Sequence, residues 1–440
     1  MGIITLILNS IILFIVTNTY ILNETFNIKI PLIITVLFTA LLCIFPSIFN
    51  KRLHSKKLAV VRDGYRLLIV FLANIFLDIA LYLFIILKYV IDTHALLINT
   101  IFLILVLNLI FWCGITRVYL FSKQLGVRYR LIGLILSLIP IAHLIMLIII
   151  IKICIDEVKF ENNKIELNKS REKKQICKTK YPIILVHGIF FRDFEKINYW
   201  GRIPEELVKN GATIYYGNHS SSLAVKDSAE ELAKRIKEIV KETNCEKVNI
   251  IAHSKGGLDS RYAISNLGMD KYVASLTMIN TPNHGCLFAD YLMNKAPKLL
   301  KQKVSNSYNF ALKKLGDKDP DFIAGVTDLT HLETEKLNKE MKESKNVYYQ
   351  AFGSVLNHPI SGRFPFNITN AYVEQFDGKN DGLVGIESFP LNDNFTLIET
   401  PYRRGISHGD MVDINRENIK GFDVREFYVE LVKDLKDKGY

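Results

Sequence analysis

Nearly all of the chain's excess hydrophobicity lies before about residue 155, and that uneven distribution most constrains what it can fold into. Mean hydropathy over the 440 residues is +0.18, high for a water-soluble enzyme. Five apolar segments, at 3–22, 30–49, 67–90, 96–116 and 131–151, are each long enough to cross a bilayer as a helix. The first is the weakest, carrying Asn9, Ser10, Thr17, Asn18 and Thr19, so the expected count is five spans with four as the alternative. It does not read as a signal peptide, because MGIITL has no basic region and no small-residue cleavage site follows.

The loops between these segments give an expected orientation. Residues 51–66 carry six Lys or Arg against one acid, and residues 117–130 carry four and no acid. The alternate loops, near Glu24 and Asp92, are close to neutral. Lys- and Arg-rich loops stay in the cytoplasm. A fifth crossing over 131–151 would then put everything after it outside the cell, as a multi-pass protein of the cell membrane. Asp78 falls within the third segment with Asn74 one turn earlier. It reads either as a functional group at membrane depth or as an interhelical hydrogen bond.

Residues 1–155 thus read as a membrane domain and 156–180 as a charged juxtamembrane connector, solvated or holding one short strand in VKFENNKIEL. The formal charge of +11 could suit nucleic acid, but the basic residues flank apolar segments, and a membrane surface is the partner that pattern implies. The six cysteines show no paired short spacing, which argues against a disulfide scaffold and a zinc site.

From residue 181 onward the text alternates between strand and helix. YPIILVHG, ATIYYGNH, VNIIAHS and VASLTMIN read as strands, separated by helical stretches such as VKDSAEELAKRIKEIVKETN. Such alternation implies a parallel sheet with helices on both faces, whose ligands bind at the carboxyl ends of the strands. One of those ends is abrupt. In VNIIAHSKGGLDSRY an apolar run stops at His253 and Ser254, and Ala252 and Gly256 flank the serine two residues away on each side. Small residues there permit a sharp strand-to-helix turn that pushes the serine oxygen out of the sheet, the nucleophile-elbow geometry. The usual first residue of that turn is Gly, and here it is Ala252.

The segments YPIILVHGI, GATIYYGNH, KVNIIAHSKGGLDSRY, ASLTMINTPNHG and NDGLV together resemble the bacterial triacylglycerol lipases of the α/β-hydrolase superfamily. The resemblance covers roughly residues 181–440 and leaves out the membrane segments. It implies an α/β-hydrolase fold, mostly parallel with helices on both faces and a helical lid at about 285–340, preceded here by an all-α multi-span membrane domain. It also implies a triad in the order Ser254, Asp381 and His408. A serine hydroxyl needs an imidazole to accept its proton, and the imidazole needs a carboxylate to fix its tautomer. Asp377, four residues before Asp381, is the rival acid. His253, His284 and His187 are the rival histidines, with His253 expected to point away from the nucleophile.

The oxyanion hole is expected from the backbone N–H groups of Ile189 and Lys255, with no assigned role for the Lys255 charge. Between 285 and 340 the lysine-rich helical text, with Phe310, Lys298, Lys301, Lys303, Lys313 and Lys314, reads as an interfacial lid or as an ordinary cap with a basic face. Some members of the resembled family hold a structural calcium, and Asp410 matches one of its ligands; no cofactor is required for the chemistry. The expectation is therefore a membrane-anchored serine lipase or esterase acting on acylglycerols or related lipids. A phospholipase or acyltransferase using the same triad, and a membrane sensor with a vestigial hydrolase domain, are the alternatives.

Overall fold

A computed structural model describes residues 2–28, 30–47, 52–89, 92–189, 199–220, 222–314 and 320–440. Lys51 of the first basic loop and residues 315–319 of the expected lid lie outside the described residues, as does the Lys314 side chain. The chain divides into two compact units, Met1–Lys169 and Ser170–Tyr440.

The first unit is helical: α1 (Gly2–Thr17), α2 (Thr19–Phe26), α3 (Leu32–Ile44), α4 (Lys56–Lys88), α5 (Thr93–Phe121), α6 (Gly126–Leu136) and α7 (Pro140–Arg171). Among the described residues only α4 and α5 are individually long and apolar enough to cross a membrane, and α1 with α2 makes a third candidate, bent by 70°. The five expected segments thus do not appear as five single membrane-length helices among the described residues. Helix α3 has 13 residues, about 20 Å at 1.5 Å per residue, short of a ~30 Å hydrocarbon core. The segment at 131–151 is two helices, because Pro140 has no N–H to donate and its ring would clash with the carbonyl four residues back.

The bend near residue 18 has its own cause. Asn18 Nδ2 donates to Phe14 O and to Asp78 Oδ1 at 2.7 Å, and Asn99 Nδ2 donates to Asn18 Oδ1 at 3.0 Å. Asp78 is thus an interhelical tie, on the blander of its two readings. Helices α4 and α5 run antiparallel, from Gly64 against Gly114 at one end to Tyr82 against Thr100 at the other. A Cβ on Gly64 would lie 2.9 Å from Gly114 O, so the small residue is what lets the helices approach.

The expected strand in VKFENNKIEL does not form. Those residues continue α7, with Asn162 Nδ2 donating to Glu166 Oε1 four residues on, a helical spacing. The connector at 156–180 is accordingly helical as far as Arg171.

The second unit is built on six strands: β1 (Ile183–Val186), β2 (Ile214–Tyr216), β3 (Val248–His253), β4 (Val273–Ile279), β5 (Tyr348–Ser354) and β6 (Phe395–Ile398). They form one parallel sheet in the order β2-β1-β3-β4-β5-β6. The helices are α8 (Ile203–Lys209), α9 (Val225–Thr243), α10 (Lys255–Asn266), α11 (Leu287–Lys295), α12 (Lys298–Lys314), α13 (Phe322–Thr327), α14 (His331–Glu340), α15 (Phe366–Asp377) and α16 (Val424–Asp437). Because strand side chains alternate, Ile183 and Leu185 pack with Trp200, Leu207 and Tyr428 on one face, under α8 and α16. Ile184 and Val186 pack with Leu232, Ile236 and Ala263 on the other, under α9 and α10. Both faces of the central strands are therefore covered, which is why β3 and β4 are mainly apolar and buried along their length. The segment expected as a lid holds α11 to α14.

Candidate active site

Strand β3 ends at His253 and α10 begins at Lys255, so one residue makes the whole turn. That residue is Ser254, at φ 56° and ψ −133°, a backbone conformation an L-residue adopts only when its surroundings impose it. The surroundings are specific. A Cβ on Gly256 would fall 2.5 Å from His187 O, and one on Gly188 would fall 2.7 Å from Ser254 Cβ. Ala252 in place of the usual Gly is accommodated within the sheet, paired with Val186 and Met278.

Asp381 and His408 arrive from loops beyond β5 and β6. His408 Nδ1 donates to Asp381 Oδ2 at 2.6 Å, and the His408 backbone N–H donates to Asp381 O at 2.8 Å. The Asp381 side chain is fully buried and takes three further donors. Asn280 Nδ2 lies 2.5 Å from Oδ2, while the N–H groups of Leu383 and Val384 each lie 2.9 Å from Oδ1. The rival Asp377 is engaged elsewhere, accepting from Leu287 N and Phe288 N at 2.9 Å and so capping α11.

Ser254 and His408 line one cavity of about 650 Å³, with Ile189, Phe288, Leu292, Phe322, Val326, Phe366 and Leu383 among its apolar walls. No hydrogen bond joins Ser254 Oγ to His408. The residues expected to supply the oxyanion donors lie nearby. Ile189 lines the cavity, and the Lys255 N–H heads α10, next to Ser254. Helices α11, α12 and α13 of the expected lid supply part of the wall, including Lys301 and Tyr308 of α12.

The rival histidines are placed differently. His284 is exposed and meets Glu335 at 3.0 Å. His187 stacks on His219, with ring centroids 4.6 Å apart. His253 does more than turn aside. Its Nδ1 accepts from Tyr199 Oη at 2.6 Å, its Nε2 donates to His408 O at 3.2 Å, and its ring lies 4.5 Å from the His408 ring. Burial, then the neighbouring His408, hold its pKa well below the usual histidine range, so this ring braces the His408 loop in its neutral form. Sequence reasoning missed this support, because Tyr199 and His408 lie far from it along the chain.

The Lys255 side chain also finds its account. Its Nζ is buried behind the turn, donating to Asp259 Oδ1 at 2.7 Å and to Ser228 Oγ at 3.0 Å. His219 Nε2 donates to the other Asp259 oxygen at 3.2 Å. The charge therefore sits in an internal ion pair that anchors the first turn of α10. Removing one partner of such a pair typically costs about 3–5 kcal/mol. The i,i+4 spacing of Lys255 and Asp259 was the available signal.

Asp410 does not suit a calcium ion. Its Oδ1 accepts from Arg404 Nη2 at 3.0 Å and its Oδ2 from Ser407 N at 2.8 Å, so a guanidinium already occupies the cation's place. Calcium needs six to eight oxygen ligands. No cluster of three or more His, Cys, Asp or Glu side chains able to hold a metal occurs among the described residues.

No family model matches the chain. It is similar to a triacylglycerol lipase of Pseudarthrobacter phenanthrenivorans, 33% identical over 173 residues, covering 37% of this chain and 54% of that one. Triacylglycerol lipase 2 of Saccharomyces cerevisiae is 33% identical over 268 residues, covering 56% of this chain and 75% of the yeast protein. The solved structure of a mature Bacillus licheniformis lipase aligns with a TM-score of 0.43 at 22% identity, over 58% of this chain and 92% of that one. The chain spans about half the length of the bacterial relative it matches. With a third of positions identical across three quarters of the yeast relative, and a parallel sheet that turns into a helix at a strained serine, the chain belongs to the triacylglycerol lipase family of α/β-hydrolases.

Proposed function

We propose that the protein hydrolyses carboxylic esters of lipids, with Ser254 as nucleophile, His408 as base and Asp381 as the acid that orients it. One observation carries this reading. A serine held at φ 56° shares an apolar cavity with a histidine whose other ring nitrogen is bonded to a buried aspartate. In the acylation half, His408 Nε2 takes the Ser254 proton as Oγ attacks the ester carbonyl. The backbone N–H groups of Ile189 and Lys255 receive the oxyanion. The carbonyl then re-forms, and the leaving alcohol takes the proton from His408. Water, deprotonated by the same ring, attacks the acyl-serine, and the fatty acid and free Ser254 result.

The substrate class follows from the walls. A cavity of about 650 Å³ with mainly apolar lining suits an acyl chain, and among the described residues Lys301 is the one lysine or arginine that lines it. The apolar helices of the first unit would hold the enzyme at a bilayer, where its substrate is concentrated.

The test is a series of p-nitrophenyl esters and triglycerides, from short to long acyl chains, given to the full-length protein in detergent micelles. Turnover that rises with chain length beyond acetate is expected. Absence of turnover across the whole series would remove the ester-hydrolase reading.

A further inference from the structure

The stretch from Gly126 to Arg171 decides on which face of the membrane the hydrolase unit begins. Had residues 131–151 crossed, the chain would leave α5 at one face and emerge from the other. The contacts of α7 show a different path. Phe111 of α5 packs on His143 of α7, with ring centroids 5.5 Å apart. Further along both helices, Ser122 Oγ, just past α5, donates to Glu157 Oε2 at 2.5 Å. The two helices therefore run in the same direction and approach the same end of the unit. Beyond that point His54 N donates to Asn162 Oδ1 at 3.4 Å, and Lys169 Nζ lies 2.9 Å from His54 Nδ1. His54 directly precedes the first turn of α4, so α7 finishes where α4 starts and α5 ends.

Helix α6 starts at that end too. Arg130 Nη2 donates to Ser122 O at 2.6 Å, and Tyr119 Oη donates to Arg130 O at 3.3 Å. A Cβ on Gly133 would lie 3.3 Å from Ile150 Cδ1, which places α6 beside α7. Their junction is apolar and uncovered, with Leu134 66%, Leu138 85% and Ile141 75% exposed. Irregular backbone facing hydrocarbon must satisfy its own polar groups. It does so here: Ser137 N donates to Gly133 O, Ile139 N to Leu136 O and Ser137 Oγ to Leu134 O, while Pro140 has no N–H. From Phe111 to Ser122 the depth reached is about 17 Å at 1.5 Å per residue, roughly half of a ~30 Å hydrocarbon core.

We infer that α6 and α7 form a re-entrant hairpin that dips into one leaflet and returns, so that the hydrolase unit starts on the face where α4 begins and α5 ends. That end carries Arg52, Lys56, Lys57, Arg62, Arg66, Arg117, Lys123, Arg128 and Arg130, and basic ends of this kind stay in the cytoplasm. The orientation expected from hydropathy, with the hydrolase unit outside the cell, loses its basis once the fifth crossing is gone. Resting on the ester-hydrolase reading above, the substrates are lipid esters of the cytoplasmic leaflet and cytoplasmic lipid, not external lipid.

The test uses single-cysteine variants of the full-length protein in which all six native cysteines, Cys43, Cys113, Cys154, Cys177, Cys245 and Cys286, are replaced by Ser or Ala. His94→Cys reports the end opposite the basic one, and Lys209→Cys and Lys241→Cys report exposed positions of the hydrolase unit. Intact cells receive a maleimide that cannot cross membranes. His94→Cys should be labelled in intact cells, whereas Lys209→Cys and Lys241→Cys should be labelled only after the cells are opened. Labelling of either hydrolase position in intact cells, or protection of His94→Cys there, would overturn the hairpin topology. The labelling reads only the path of the chain, so its failure would leave the ester assay as it stands, and a failed ester assay would leave the topology as it stands.

Discussion

Ser254→Ala is expected to reduce ester turnover by several orders of magnitude, to the residual rate that binding and the oxyanion donors supply alone. The fold should survive, because the substitution removes one oxygen from a side chain that has no hydrogen-bond partner among the described residues. The neighbouring contacts that impose φ 56° come from Gly188, Gly256 and the backbone of His187, none of which changes. Kinetics on purified protein, with thermal unfolding of the same samples, checks both halves. Activity retained in a cleanly folded variant would remove Ser254 from the mechanism.

The two aspartates should part sharply. Asp381→Asn is expected to lower kcat by roughly 10⁴-fold, because an amide opposite His408 Nδ1 favours the wrong imidazole tautomer. The amide would also face Asn280 Nδ2 and two backbone N–H groups that now converge on a carboxylate. Asp377→Asn should cost little in rate, since an amide oxygen can still accept from Leu287 N or Phe288 N, with a modest loss at the α11 cap. Parallel kcat measurements decide the matter, and the reverse ranking would mean that the acid is Asp377.

The turn at Ser254 was legible because its requirement is local. Small residues two positions to either side are a condition on the backbone, and the sequence displays them directly. The two candidate acids were harder to tell apart, since Asp377 and Asp381 both precede Gly. The NDGLV context favoured Asp381, and the contacts separate them further, with Asn280 reaching Asp381 from 101 positions away and Asp377 turned to α11. Lys255 beside Ser254 was visible, but its partner Ser228, and the His219 that shares Asp259 with it, come from earlier elements that the fold alone brings together. Asp410 shows the opposite failure. One matched residue suggested a metal ligand, and the text alone did not show that the guanidinium of Arg404, six residues earlier, pairs with it.

In the first unit hydropathy did not show where the helices break. Residues 131–151 are equally apolar whether they cross or double back, and a window average cannot tell the two apart. The break was written in Ser137 and Pro140, a serine that caps its own helix and a proline that cannot continue it. Likewise 158–167 alternates enough to suggest a strand, yet it follows a helix already nucleated and simply extends it.

Covalent trapping of the nucleophile tests the central claim most directly. Full-length protein treated with an alkyl fluorophosphonate, digested and sequenced by mass spectrometry should carry the adduct on Ser254. The labelling should slow by orders of magnitude in His408→Ala, since the serine would lose its base. An adduct on another residue, or rapid Ser254 labelling that does not need His408, would contradict the account.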